Sequence, residues 1–200
     1  MKIVTECFNT ILSGDREASR NAARQVRKLL YSSKVGGQYK VIASIIENAP
    51  NEYGNIVEDW RRENFVVAVS VLYFLHDRES EPDFLFSWLG HLIQNPNGNI
   101  RQSAVRMFEH ELGPLTYHIR FPNEKPSYFH KFSPKQADLI LFEMWANLMS
   151  LLRYLWKPAY KKHKYISSLP TGPFKSIQMV LGRMEEDCGE KYIARLEKRL

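Results

Sequence analysis

The sequence predicts an all-α fold built as two small helical bundles, and three observations predict it. Apolar residues recur at helical spacing along most of the chain. The apolar/polar alternation of a half-buried strand is almost absent. The segments are punctuated by turn and cap residues: Ser13-Gly14-Asp15, Gly36-Gly37, Asn48-Ala49-Pro50-Asn51, Glu81-Pro82-Asp83 and Asn95-Pro96-Asn97-Gly98-Asn99.

This punctuation sets the helices in order. One is expected over 2–13, ending at Ser13-Gly14, and the next over 16–32 after Asp15. A third, 38–49, lies between the two glycines and the Asn48–Asn51 turn. The fourth, 56–76, contains the longest apolar run, FVVAVSVLYFL at 65–75, about half of the roughly 20 residues a membrane crossing needs. Glu81-Pro82-Asp83 opens 83–94, the Asn95–Asn99 turn closes it, and 99–112 follows up to Gly113-Pro114. Residues 113–133, with Pro122, Pro126, Tyr128, Phe129 and Phe132, break the pattern and are read as containing a domain boundary. The expected division is an N-terminal domain over 1–120, a linker over 121–133 and a C-terminal domain over 134–200. Ser133 is a good N-cap with proline at the first helical position, and helices are expected over 134–157, 173–187 and 189–199. Within the N-terminal part, 1–33, 37–77 and 82–112 each read as paired helices with Arg20, Arg62 and Arg101 at similar offsets. That echoes a HEAT-like layout, and any antiparallel bundle gives the same succession.

Composition restricts the class of protein. A chain of 200 residues can bury about 70% of the surface it exposes when unfolded, so no disulfide or metal is needed to hold it. Cys7 and Cys188 stand far apart without CxxC spacing, which suits a reducing compartment, and with Glu6 and a polar stretch soon after Met1 no signal peptide is expected. A cytoplasmic protein with no membrane association is expected. The net charge is +6, and residues 151–200 hold all of the excess, with 11 Lys+Arg against 5 Asp+Glu. Charge concentrated in this way points to an anionic partner or to a basic tail kept for solubility.

Catalytic chemistry has little to stand on. His110 in FEHEL lacks the second histidine of a zinc helix, and His91, His118, His130 and His163 are scattered as structural histidines usually are. Asp77 and Glu79–Glu81 read as a solvated turn. GxGxxG, GxxxxGK[ST] and GxSxG motifs are all missing. Neither an enzyme, a metal site nor a cofactor is expected. A DNA glycosylase would need a carboxylate beside an aromatic pocket, such as Asp59 or Asp83 near Trp60 or Trp88, and nothing singles either out.

What remains is cationic. Arg16, Arg20, Arg24 and Arg27 fall at spacings of four, four and three, within an arc of about 80° on a helix. Their repulsion costs roughly 0.2–0.5 kcal/mol per i,i+4 pair until an anion sits on them. Ala22, Ala23, Val26, Leu29 and Leu30 form a modest apolar face for packing on a neighbour, without the bulky anchors of a membrane-surface helix. In WKPAYKKHKY, 156–165, Lys161, Lys162 and Lys164 stand among Trp156, Tyr160 and Tyr165. Such cations neutralise phosphates and such rings stack on unpaired bases; a lysine-rich helix end facing its own dipole is the plainer reading.

The order of features over residues 13–120 resembles a known family. WRRENFVVAVSVLYFLHD (60–77) is similar to its tryptophan and basic residue leading into a long apolar helix. SEPDFLFSWLGHLIQ (80–94) and NIRQSAVRMFEHELGPLTYHIR (99–120) resemble its Leu-Gly helix and its arginine-bearing helix, and SGDREASRNAARQVRKLL (13–30) resembles its basic first helices. The family is the small subunit of type I CRISPR interference complexes, or Cascade, of the CasB kind. The resemblance implies a non-catalytic, two-domain helical protein that steadies separated DNA strands. It implies phosphate contacts from Arg62, Arg101 and Arg120, and from Arg20, Arg24 and Arg27 on the first basic surface. Its partners would be guide RNA, target DNA, other Cascade subunits and a second copy of the chain. The family's C-terminal Trp-Ala-Arg element is not kept, since Asn147 follows Trp145-Ala146.

The expected function is therefore a nucleic-acid-binding small subunit that stabilises an R-loop by sequence-independent backbone contacts. The alternative is a HEAT-like scaffold that binds a protein partner through the apolar, aromatic segment 113–133.

Overall fold

The computed structural model describes residues 2–29, 39–75, 84–124 and 132–199. Among them all regular structure is helical: α1 (Lys2–Ser13), α2 (Arg16–Leu29), α3 (Tyr39–Glu47), α4 (Ala49–Asn55), α5 (Asp59–Leu72), α6 (Phe84–Leu92), α7 (Gly98–Leu115), α8 (Tyr117–Arg120), α9 (Pro134–Leu155), α10 (Pro173–Cys188) and α11 (Glu190–Glu197). Short 3₁₀ turns cover Tyr73–Leu75, Pro158–Lys162 and Ile166–Ser168. Among the described residues there is no strand, and no helix is long and apolar enough to cross a membrane. Leu30, Gly36-Gly37, Asp77 to Asp83, Pro126, Tyr128, Phe129 and His130 lie outside the described residues.

The chain divides into two compact units, Met1–Trp88 and Leu89–Leu200. The sequence places its linker at 121–133. Within the second unit α7, whose Ile100, Ala104, Met107 and Phe108 are buried, packs on α9 and α10. Gly113-Pro114 does not stop that helix. It runs on to Leu115, and its last carbonyls find donors: Thr116 gives its N–H and Oγ1 to Leu112 O at 2.9 and 2.7 Å, and Arg120 Nη2 reaches Gly113 O at 2.8 Å.

The N-terminal unit is organised by the turn between α1 and α2. Gly14 N–H bonds to Thr10 O at 2.9 Å, and a Cβ at Gly14 would come within 2.7 Å of that same oxygen, so only glycine fits. Asp15 then caps α2 by accepting from Ala18 N at 2.8 Å. α2 packs on α1 and α5, and Phe8 meets Phe65 edge to face at 5.9 Å between centroids. The stretch Asn48–Asn51, read as a turn or cap signal, opens α4 with Asn48 at the N-cap position. Pro50 occupies its first turn, where a missing N–H leaves no intrahelical bond unmade.

In the C-terminal unit, α9 opens as its sequence predicts. Ser133 Oγ and Gln136 form a reciprocal capping box ahead of Pro134. Leu141, Leu148, Ile177, Val180 and Met184 are buried in the core that α7, α9 and α10 share.

Candidate nucleic-acid interface

The orientation of α2 is decided by its smallest residues. Ser19, Ala22, Ala23 and Val26 are buried. Ser19 is a polar pin within that face: its Oγ donates to Ile11 O of α1 at 2.9 Å and accepts from Asn64 Nδ2 of α5 at 3.1 Å. With rotation fixed in this way, Arg16, Arg20, Arg24 and Arg27 are exposed. At 100° per residue their stripe is centred about 105° from the buried face, so it runs along the flank of α2 rather than opposite its core side. It extends about 16 Å along the axis. Among the described residues no carboxylate forms an ion pair with any of the four. Lys28, exposed about 40° beyond Arg24, widens the stripe. It stands four residues after Arg24 and so continues the spacing of Arg16, Arg20 and Arg24.

The other expected arginines have different fates. Arg62 pairs with the exposed Asp59 at 3.6 Å and lies over the Tyr53 ring, its side chain one third exposed. Its neighbour Arg61, which no sequence signal distinguishes, holds the fold together. The Arg61 side chain is 12% exposed, and its Nη1 donates to Ile11 O, Leu12 O and Gly14 O at 3.0, 2.6 and 3.0 Å. It thereby closes the C-terminal end of α1. Arg101 is a correction: at 9% exposure it is buried, and its Nη1 donates to Asn95 O and Pro96 O at 2.8 and 2.7 Å. It clamps the loop ahead of α7, where Asn97 caps the helix by accepting from Asn99 N and Ile100 N. Arg101→Ala is expected to lower stability by about 2 kcal/mol through unpaired loop carbonyls, without changing oligonucleotide affinity; urea unfolding and a binding titration read the two effects separately. Arg120 is exposed yet occupied, with Nε on Thr116 Oγ1 at 3.1 Å in addition to its bond to Gly113 O.

Lys161, Lys162 and Lys164 are exposed on the segment that follows α9. Among the described residues no acid forms an ion pair with any of them. They belong to the C-terminal unit, whereas the arginine stripe belongs to the N-terminal one.

Two other places hold groups with chemical potential. A cleft of about 460 Å³ in the N-terminal unit is floored by Phe8, Leu12, Ile45 and Phe65 and rimmed by Lys40 and a single carboxylate, Glu52. The second place is a cluster in which Asp138 receives the Tyr192 hydroxyl and lies 3.1 Å from His118 Nε2. These bonds tie α8, α9 and α11 together. Among the described residues no three His, Cys, Asp or Glu side chains converge as metal ligands. Asp59, a candidate partner of Trp60, is 95% exposed at its side chain, and Asp83 lies outside the described residues.

Cys188 gives this region a pH signature. Burial, then the nearby carboxylates Asp187 and Asp138, push its thiol from 9.0 up to about 12. Tyr192 is raised too, by burial and by its bond to Asp138. A folded-state pKa raised in this way contributes stability that is complete below pH 9 and is lost as pH climbs toward 12. The expected slope is up to about 1.4 kcal/mol per pH unit for one proton, and Cys188→Ala should remove the part of it that begins at pH 9, as read by urea midpoints from pH 8 upward.

The chain matches no protein-family model, no curated protein and no solved structure.

Proposed function

We propose that this protein is a non-catalytic nucleic-acid-binding subunit that grips sugar-phosphate backbone without reading base sequence. The observation that carries the reading is the α2 stripe: four exposed guanidinium groups, fixed in direction by the Ser19 pin, with no carboxylate partner among the described residues. A planar guanidinium offers phosphate two parallel hydrogen bonds, and aligned phosphates relieve the mutual repulsion of the arginines.

The partners that fit are the strands of an R-loop. Exchange of a DNA duplex for an RNA–DNA heteroduplex is nearly balanced in free energy, so a few backbone contacts from an accessory subunit tip it. The small subunit of a type I CRISPR complex works at such a place, with guide RNA, target DNA, neighbouring Cascade subunits and a second copy of itself as partners. The resemblance over residues 13–120 supports that assignment for α2. For Arg101 the geometry removes the support, and for Arg120 it reduces it.

The test is an oligonucleotide gel shift at 50 and 200 mM salt. Four phosphate contacts to a single strand give a log–log slope near −2.8, so affinity is expected to fall about fiftyfold across that range. A protein that shows no salt-sensitive binding is instead a scaffold for a protein partner.

A further inference from the structure

The segment from Arg153 to Tyr165 presents aromatic rings and cations on one rigid support. Between Met144 and Met184 the sequence contains seven Lys or Arg residues and no Asp or Glu. Within that acid-free stretch Tyr154 is 83%, Tyr165 64% and Trp156 45% exposed, a large aromatic surface for one short segment.

The support is held by residues that turn the other way. Tyr160 stacks on Phe174 of α10 at 4.4 Å between centroids and 28° between planes. Lys175 Nζ donates to Ser167 O and Leu169 O at 2.9 and 3.1 Å, Ile166 Cδ1 would lie 3.3 Å from a Cβ at Gly182, and Leu169 is buried. Tyr160, expected from sequence to be one of the contact rings, is thus an anchor, and Tyr154 takes its place on the outside. Each of two outward rings has a cation beside it: Lys161 Nζ is 5.8 Å from the Trp156 centroid, and Lys164 Nζ 5.6 Å from that of Tyr165.

We propose that this segment is a base-stacking platform for unpaired nucleotides, with Tyr154, Trp156 and Tyr165 receiving base faces and Lys157, Lys161, Lys162 and Lys164 receiving the adjoining phosphates. The proposal rests on the nucleic-acid reading above and narrows it: the ligand is single-stranded, because a base in a duplex has no free face to offer. Charge complementarity selects the occupant, since a polymer of planar rings and anions matches rings interleaved with lysines and no acids. A membrane surface fits less well. It needs contiguous apolar area, and here Ile166 and Leu169 are turned toward α10 while two of the three outward rings are tyrosines.

The experiment compares an oligothymidylate with an abasic oligomer of equal length, which keeps the phosphates and lacks the bases. The proteins are the full chain, Y154A/W156A/Y165A and R20A/R24A/R27A. The expected result is that the ring variant loses oligothymidylate affinity by roughly tenfold or more per ring while its abasic affinity is unchanged. The arginine variant should weaken binding to both. All three ring positions are exposed, so the variant should retain its melting temperature. Equal affinity of the full chain for the two oligomers, or a ring variant that binds oligothymidylate normally, overturns the platform and leaves the arginine stripe standing. Loss of binding to phosphatidylserine vesicles without loss of oligothymidylate binding overturns it in favour of a membrane. An arginine variant with full affinity for both oligomers overturns the backbone reading itself.

Discussion

Arg61→Ala is expected to destabilise the N-terminal unit by about 3 kcal/mol, a larger effect than that of Arg62→Ala or Arg101→Ala. One guanidinium nitrogen, with two N–H bonds, is shared among three carbonyls at the end of α1. A hydrogen bond to a charged group contributes about 1.5–3 kcal/mol, and acceptors left without a donor in a poorly solvated place add their desolvation cost. The positive charge also faces the negative end of the α1 dipole. Water re-satisfies some of the carbonyls, which is why the total stays well below three full bonds. At about 4–8 °C per kcal/mol for a unit of this size, the melting temperature should fall by more than 10 °C. Arg61→Lys should recover only part of the loss, since a point charge does not reproduce the guanidinium fork. Arg62→Ala is the internal control. Its partner Asp59 is 95% exposed, and such pairs contribute at most about 1 kcal/mol. A melting curve for each variant checks the contrast.

That contrast shows what the sequence carries and what it withholds. Periodicity and capping residues identify most helices, and Ser133, Asn97 and Asp15 take the cap positions their chemistry suits. The exposure of Arg16, Arg20, Arg24 and Arg27 follows from spacing alone, because small residues sit beside them on the helix. Adjacent arginines at 61 and 62, by contrast, differ only in where the end of α1 comes to rest, a tertiary fact with no local signal. Arg101 has the same difficulty: its acceptors are backbone carbonyls, which every residue supplies. The end of α7 is hidden for a related reason. Gly113-Pro114 reads as a break, yet α7 continues to Leu115, and Thr116 and Arg120, which lie beyond it, donate to its last carbonyls.

R20A/R24A/R27A should have the opposite profile to Arg61→Ala: intact folding and a large loss of binding. Alanine matches or exceeds arginine in helix propensity, and removing i,i+4 repulsion returns a few tenths of a kcal/mol per pair. The variant should therefore melt at or slightly above the temperature of the parent chain. Each phosphate held on a single strand contributes about 0.7 decades of affinity per tenfold dilution of salt. With three phosphates no longer held, binding should weaken about a hundredfold at 0.1 M salt, relative to a 1 M reference.

The slope of log affinity against log salt, measured for the parent chain and for this variant on one single-stranded oligonucleotide, tests the arginine stripe most directly. A slope shallower by about 2 in the variant, with unchanged helicity, is the predicted result. Parallel lines of equal height would contradict it, because the guanidinium groups on α2 would then be releasing no counterions and holding no phosphate.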